Sequence, residues 1–477
     1  SSHWSPGCFG EGYGFIFAFS PSGHFRSLRT GNIQIKAAEA TLDMLYHYRL
    51  GRESQSSSHL ESRGVVGKFV RSVRTAILIE GGVFNTFRTT ASVLKNEGWP
   101  GFRQRVSAAL SKNERNDYQE WIRRYDTLAD IDRESIRGKI AQMPQRPLIS
   151  VLMPTFNTPI DWLQAAIDSV RGQLYDNWEL CIADDASTHS SVRRVLEKAA
   201  GQDERIKVTF RESNGHISAA SNSALELCSG NWVALMDHDD LLAEHALYCV
   251  ADTINRHPEA RLVYSDEDKI SERGFRFDPY FKCAVNRDLF YSHNMISHLG
   301  VYSKGILHKI GGFREGFEGS QDYDLALRFI ECIEPRNIVH IPRVLYHWRR
   351  HGSSTASGVA KKPYAEEAAH KALKESLARL GTPADITVEK HGYHVNYVLP
   401  EPPPFVSIVV IAGEDSDQVG QFIAQIKQET DYPDFDLSVV YKNSIAAINT
   451  AVNDCHGEYI ALLDSDTKVR SRDWLTE

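Results

Sequence analysis

The feature that most constrains this chain is the stretch Gly230 to Leu241, Gly-Asn-Trp-Val-Ala-Leu-Met-Asp-His-Asp-Asp-Leu. Trp232 to Met236 is a short apolar run of strand-forming residues, the pattern of a strand covered on both faces, and it ends at once in Asp237, His238, Asp239 and Asp240. In an open α/β sheet the strand ends face the ligand crevice, so carboxylates placed there can hold a divalent cation that in turn holds phosphate oxygens. Taken alone, the same residues also read as a polar turn with a helix N-cap, because Asp is favoured there and Leu-Leu-Ala-Glu-His-Ala-Leu follows. Short motifs decide little by themselves. The surrounding chain decides.

Upstream, strands and helices alternate. Strand Leu148 to Met153 leads through Pro154-Thr155-Phe156-Asn157 into a helix from Ile160 to Gln173. Strand Trp178 to Ala183 ends in Asp184-Asp185-Ala186-Ser187, and helix Ser191 to Ala200, strand Ile206 to Phe210 and helix Ser218 to Leu227 precede the opening strand. This spacing predicts a mostly parallel sheet with helices on both faces. Two successive strands end in paired acids on one rim, so Asp184/Asp185 and Asp237/Asp239 are expected to face the same crevice.

Downstream the pattern is less regular. Val263-Tyr264 runs into Ser265-Asp266-Glu267-Asp268-Lys269, which reads as a charged surface loop. Gly311 to Ser320 leads into Gln321-Asp322-Tyr323-Asp324, the start of an amphipathic helix whose early acids suit the helix dipole. Val344 to Trp348 reads as a strand ending in His347-Trp348-Arg349-Arg350-His351; helix Tyr364 to Leu380 closes at Gly381, and Pro400 to Pro404 marks a linker. The domain reading is an unassigned region 1–60, a helical basic region 61–146, a catalytic domain 147–381, a Pro-rich linker 382–405 and a further domain 406–477.

A length of 477 residues suits two or three domains, and a net charge of −8 gives no case for a nucleic-acid partner. The seven cysteines are scattered without a Cys-x-x-Cys pair and read as core thiols of a reducing, cytoplasmic compartment. No apolar run reaches the ~18 residues of a membrane span. Arg63 to Lys112 carries nine Lys or Arg against Glu80 and Glu97. Two readings of it stand: a basic amphipathic helix in peripheral contact with the inner face of the cell membrane, or a helix packed on the catalytic domain with its charges in water.

Leu148 to about Ala356 closely resembles a family two glycosyltransferase domain of the GT-A fold, in particular bacterial enzymes that build O-antigen or capsule polysaccharides. The matching blocks are Pro154 to Asn157, Asp184 to Ser187, Asn214-Gly215 to Asn222, Asp237 to Asp240, Ser265 to Lys269, Gly319 to Leu325 and Tyr346 to Arg349. The resemblance implies an inverting glycosyltransferase that moves a sugar from a UDP-, GDP- or dTDP-sugar to a glycan or lipid-linked acceptor. It implies that Pro154, Thr155, Asn157, Asp184, Asp185, Asn222 and Asp237 bind the nucleotide sugar, and that Asp239 and His347 hold Mn²⁺ or Mg²⁺. It implies Asp322 as general base, with Asp266, Glu267, Asp268, Gly319 and Gln321 on the acceptor side. Gln321 stands where the family often has Glu, and His351 is an alternative to His347 as ligand. A metal-dependent nucleotidyltransferase and a non-catalytic nucleotide-sugar-binding module are the competing readings.

The chain also contains an internal repeat. Asn222 to Asp239 realigns without a gap on Asn449 to Asp466 at a constant offset of 227, and Ser150 to Ser187 aligns with Ser407 to Ser444 at an offset of 257. The difference of 30 is a deletion after Ser444, where the earlier segment has Thr188 to Ile217, and it removes a helix and a strand. Pro154 to Asn157 correspond to Ile411-Ala412-Gly413-Glu414, and Asp184-Asp185 to Tyr441-Lys442. The expectation is a truncated, degenerate second GT-A-like unit without transferase activity.

Overall fold

The computed structural model describes residues 114–350, 363–389, 392–413, 416–441 and 445–476, together with a two-residue strand β1, Ala18–Phe19. The basic segment Arg63 to Lys112 and His351 lie outside the described residues. The chain divides into two compact units, one of Leu60–Val395 and one of Ser1–His59 with Asn396–Glu477.

Among the described residues, the larger unit begins with helices α1 (Glu114–Tyr125) and α2 (Asp130–Ala141). A single helical stretch from Tyr118 to Ile140 is what periodicity suggests; the break has two local causes. Thr127 Oγ1 bonds the Ile122 carbonyl at 2.9 Å and closes α1, while Asp132 accepts the Ala129 N–H at 2.8 Å and opens α2. Then β2 (Ile149–Thr155), α3 (Ile160–Arg171), β3 (Trp178–Asp184), α4 (Ser190–Gln202), β4 (Ile206–Phe210), α5 (His216–Leu227) and β5 (Trp232–Leu235) follow in the expected order. Strands β4, β3, β2 and β5 are neighbours, all parallel. Period-two alternation splits their side chains between two cores. Ile149, Val151, Met153, Leu180 and Ile182 meet Leu163 and Ile167 of α3 and Leu196 of α4, whereas Leu152, Cys181 and Ala183 meet Ala220 and Ala224 of α5 on the other face.

The second half corrects the expectation of a mostly parallel sheet. After β6 (Leu241–Leu242) and α6 (Ala246–Arg256) come β7 (Leu262–Ser271), β8 (Arg276–Tyr280), α7 (Arg287–Ser292), β9 (Gly300–Ser303), α8 (Lys304–Lys309), α9 (Gln321–Ile330), β10 (Ile338–Arg350) and α10 (Pro363–Arg379). The sheet continues β5-β9-β7-β10-β6 with β8 on β7, and β9 runs antiparallel to both of its neighbours. The sheet is therefore mixed. Four-residue β9 is too short to carry a readable alternation, and its direction follows from pairing partners distant in sequence. The stretch Ser265 to Lys269, read as a surface loop, is the interior of the ten-residue strand β7, with Asp266, Glu267 and Asp268 buried. Within 382–405, read as a linker, lies a two-stranded ribbon of β11 (Ala384–Glu389) and β12 (Gly392–Tyr397).

The smaller unit comprises β13 (Val406–Ala412), α11 (Ser416–Glu429), β14 (Phe435–Tyr441), α12 (Ile445–Asp454) and β15 (Tyr459–Asp464), in the sheet order β1-β15-β13-β14. Its pairing obeys the offsets of the sequence repeat. Ile149↔Trp178 and Val406↔Phe435 differ by 257, while Trp232 and Tyr459, the partners of Ile149 and Val406 on the other side, differ by 227. Side-chain details follow as well. Gly230 N–H donates to Ser150 Oγ at 3.0 Å and Gly457 N–H to Ser407 Oγ at 2.9 Å; Tyr175 Oη donates to the Pro147 carbonyl at 2.7 Å and Tyr432 Oη to Pro404 at 2.6 Å.

Candidate active site

The parallel half of the sheet delivers Thr155, Asp184 and Asp237 to one rim, because β3, β2 and β5 are adjacent and run the same way; Thr155 and Asp184 are register partners. No helix starts at the Asp237 to Asp240 turn, which removes the N-cap reading: β6 intervenes and α6 begins at Ala246. The turn is held instead by β10. Tyr346 Oη donates to Asp240 Oδ2 at 2.6 Å, the Arg349 N–H donates to Asp240 Oδ1 at 2.6 Å, and the Asp237 N–H donates to Tyr346 Oη at 3.1 Å. Asp240 is 1% exposed. Burial pushes its carboxyl well above the usual range, and Asp239 and Asp237 push it further. Asp237 is raised by desolvation and by Asp239, with His298 working the other way.

His298 completes the group. Its ring stacks on Tyr346 with centroids 4.5 Å apart, and its Nε2 lies 4.0 Å from Asp237 Oδ2. Among the described residues, Asp237, Asp240 and His298 are the set of metal-ligating types that offer ligand atoms all within 4.8 Å of one another. Two carboxylates and an imidazole suit a divalent cation of the Mg²⁺/Mn²⁺ class, and the crowding of acids in a desolvated turn is what such an ion relieves. His298 Nδ1 is buried with no hydrogen-bond partner, so the ring has a nitrogen to spare for a ligand. The residues fit the cation.

Helix α9 brings Asp322 to the same crevice. Desolvation raises its carboxyl above the usual range, His298 opposes that, and Asp237 adds to it. Asp322 Oδ2 accepts from Asn294 Nδ2 at 2.8 Å, a neutral donor. Two residues on, Asp324 is fully buried and neutralised by Arg314 and Arg328, the latter with Nε at 2.9 Å. Of the two acids in this helical turn, Asp324 is fixed as an ion-pair partner and Asp322 keeps a carboxylate able to take a proton.

The residues expected on the donor divide. Pro154 and Thr155 end β2 in buried positions, and Thr155 Oγ1 has no partner, a buried hydroxyl available to a ligand. Asp184 accepts the Ser187 N–H at 3.1 Å, and Asp185 accepts Arg211 Nε at 2.8 Å and the Gly215 N–H at 3.0 Å. Asn157, at φ 49°, accepts the Thr188 N–H at 2.9 Å and pins the loop after β3. The Asn222 amide donates to the Phe313 carbonyl and accepts the Phe313 N–H, both at 2.8 Å, and so clamps the 311–313 turn.

Tyr346 and Trp348 turn toward His298, so His347 between them points to the opposite face of β10, where Nδ1 meets Asp268 Oδ1 at 2.6 Å. Burial works to raise the Asp268 carboxyl, but His347, Arg276 and Tyr118 together hold it below its usual range. Asp239 likewise stands outside the three-residue group. The acceptor-side acids are internal: Asp266 accepts the Lys282 N–H at 2.8 Å and pairs with His340, and Glu267 pairs with Lys282 at 3.0 Å. Gly319, at φ 86°, leaves no room for a Cβ beside Ala365 and Tyr364, and its N–H donates to Gln321 Oε1 at 2.9 Å. Sequence reading missed His298, Asn294 and Tyr346 as parts of the crevice. His298 lies in an irregular segment with no strand-end or helix signature, so no local signal marks it.

Residues 150–311 match the family described as glycosyl transferase family 2. The chain is 41% identical over 381 residues to y4gI of Sinorhizobium fredii (strain NBRC 101917 / NGR234), a match covering 72% of this chain and 42% of that protein. It is 32% identical over 367 residues to the O-antigen biosynthesis protein RfbC of Myxococcus xanthus, covering 71% and 28%. It is 31% identical over 192 residues to EpsE of Bacillus subtilis (strain 168), covering 40% of this chain and 69% of EpsE. The chain thus spans less than half the length of y4gI and of RfbC.

Proposed function

This chain belongs to glycosyl transferase family 2, and from that premise we propose that it is an inverting, cation-dependent glycosyltransferase. It takes a nucleoside-diphosphate sugar as donor and a hydroxyl of a glycan or lipid-linked molecule as acceptor, in the synthesis of a bacterial surface polysaccharide on the cytoplasmic side of the membrane. The observation that carries this reading is the convergence of Asp237, Asp240, His298 and Asp322 on one crevice at the ends of β5 and α9. Asp237, Asp240 and His298, with Asp239 beside them, are the residues that would hold Mn²⁺ or Mg²⁺. The bound ion stabilises the negative charge that the leaving nucleoside diphosphate acquires. Thr155 offers its unpartnered hydroxyl to the nucleotide, and Asp184 and Asp185, already fixed by Ser187 and Arg211, keep lone pairs for the base.

Asp322 is the general base. It takes the proton of the acceptor hydroxyl as that oxygen attacks the anomeric carbon from the side opposite the departing diphosphate, which inverts the configuration. A nucleotidyltransferase would share the cation-binding acids; the match of residues 150–311 to glycosyl transferase family 2 favours sugar transfer. Residues 406–477 form, in this reading, a degenerate transferase-like repeat. A donor screen scoring cation-dependent release of UDP, GDP or dTDP tests the proposal; no release from any nucleotide sugar with Mn²⁺ or Mg²⁺ present would refute it.

A further inference from the structure

Lys282 and Glu267 form an ion pair whose lysine side chain is 0% exposed. Removing two charges from water is costly, and a buried pair seldom repays that cost in stability alone. What these two side chains touch explains their presence. Lys282 Nζ donates to Glu267 Oε2 at 3.0 Å, to the Ile296 carbonyl at 2.8 Å and to the His298 carbonyl at 2.5 Å, so all three of its donors are spent. Glu267 Oε2 in turn accepts the His298 N–H at 3.1 Å. His298 is therefore held by its backbone on both sides, N–H by the carboxylate and C=O by the ammonium. The same segment carries Asn294, whose amide donates to Asp322 and whose side-chain oxygen accepts the Ser297 N–H at 3.1 Å.

We infer that the Lys282–Glu267 pair is a positioning device, which sets the His298 imidazole against Asp237 and Asp240 and, through Asn294, the carboxylate of Asp322. The inference rests on the cation role given to His298 above. It assigns to Glu267 a place behind the crevice rather than on the acceptor side. Neither Lys282 nor Glu267 touches the reacting atoms; they act through His298. A site held within about half an ångström needs such supporting contacts, because a loose ligand forfeits affinity even where the fold survives.

The test is calorimetric binding of Mn²⁺ alone to the full chain, with thermal unfolding measured on the same samples. Lys282→Met combined with Glu267→Leu removes both charges and leaves no unpaired one; the expected result is a folded protein whose Mn²⁺ affinity is lower by about tenfold or more. Glu267→Gln, which keeps the shape and an acceptor for the His298 N–H, should lose affinity by roughly threefold, and it decides the matter if the double variant does not fold. Glu179→Gln, at an equally buried carboxylate of β3, should lower the unfolding temperature and leave Mn²⁺ affinity at the parental value. Parental affinity in the folded Lys282/Glu267 variants, with that of His298→Ala reduced, overturns the inference and leaves the proposed function standing; parental affinity in His298→Ala removes His298 from the cation site and overturns the inference with it. A parent chain that binds no Mn²⁺ overturns both.

Discussion

Strand β3 and strand β14 occupy equivalent registers beside β2 and β13, yet their surroundings differ. All seven residues of β3 are buried, whereas in β14 Asp436, Ser438 and Tyr441 are exposed and only Val440 is buried. In the proposed repeat, 30 residues are missing from the equivalent place. In the larger unit those residues build α4, which covers one face of β3, and β4, which pairs with its outer edge. Among the described residues, β14 has one strand neighbour, β13. The same loss reaches the chemistry. Glu179 in β3 is bound by Ser150, Ser229 and Lys207, and Lys207 sits on β4; the equivalent Asp436 is the register partner of Ser407, and among the described residues no strand lies on its other side to bring a lysine. A fold can lose an edge and a helix and keep its register, because register is fixed by the buried central strands. It cannot lose them and keep a rim of polar groups held in place.

The sharpest way to break this comparison is at the base. Asp322 is the general base of the proposed mechanism, so Asp322→Asn should remove most of the transferase activity that residues 150–311 and α9 support. The expected fall is about a hundredfold or more in turnover with nucleotide binding largely kept. Near-parental turnover would show that another group takes the proton.

Next in size is the cation site. Asp237 and Asp239 align with Asp464 and Asp466, but Asp240 aligns with Thr467. Asp240→Asn should weaken Mn²⁺ binding by roughly tenfold to thirtyfold, since one charged ligand is lost. Asp464→Ala with Asp466→Ala should leave both Mn²⁺ affinity and turnover within about twofold of the parent, because Thr467 offers no carboxylate where Asp240 does. A folded double variant with most of its turnover gone would make the repeat part of the active centre.

The parts of this contrast that are legible in sequence are those written locally. Strand Ile206 to Phe210 stands where the apolar run places it, the helices after β2 and β3 begin within a residue of their expected starts, and the deletion is read directly from the two offsets. What is illegible depends on partners far along the chain. Asp266, Glu267 and Asp268 look like a solvated loop, because nothing near them shows that His340, Lys282 and Arg276 arrive to neutralise them. His347 has the expected strand-end position, but which face it takes is set by the register of β10 on β7, where it pairs with Asp268. His298 enters the crevice through a segment without periodicity at all.

A smaller effect concerns acid. Burial works to raise the Glu179 carboxyl, but Lys207, Ser150 and Ser229 outweigh it and hold it at about 2 against an ordinary 4.5. A carboxyl depressed in the folded state contributes stability above its unfolded value and loses it as pH falls toward the folded value. The larger unit should therefore lose on the order of 2 kcal/mol between about pH 5 and pH 2 through this group, the Lys207 end being partly open to solvent. Glu179→Gln should flatten that part of the stability profile of the larger unit. An unchanged slope would show that the ion pair does not form.

The smallest expected effect is also the most direct reading of the edge. Each strand alternates the direction of its backbone N–H groups, so an interior strand has every amide in a ladder and an edge strand leaves alternate amides to water. Strand β3 pairs on both sides, with β2 and β4, whereas β14 pairs with β13 on one side. Amides that open without disturbing a second strand exchange at the low-stability end of the molecule's range. Peptides covering Phe435 to Tyr441 should therefore exchange faster than those covering Trp178 to Asp184, by about tenfold for the inward-bonded amides and more for the outward ones. The two segments have the same length, the same register and similar apolar content, so the comparison isolates the missing α4 and β4. Equal protection in both peptides would mean that some other segment covers the outer edge of β14, and the deletion would then have been repaired rather than tolerated.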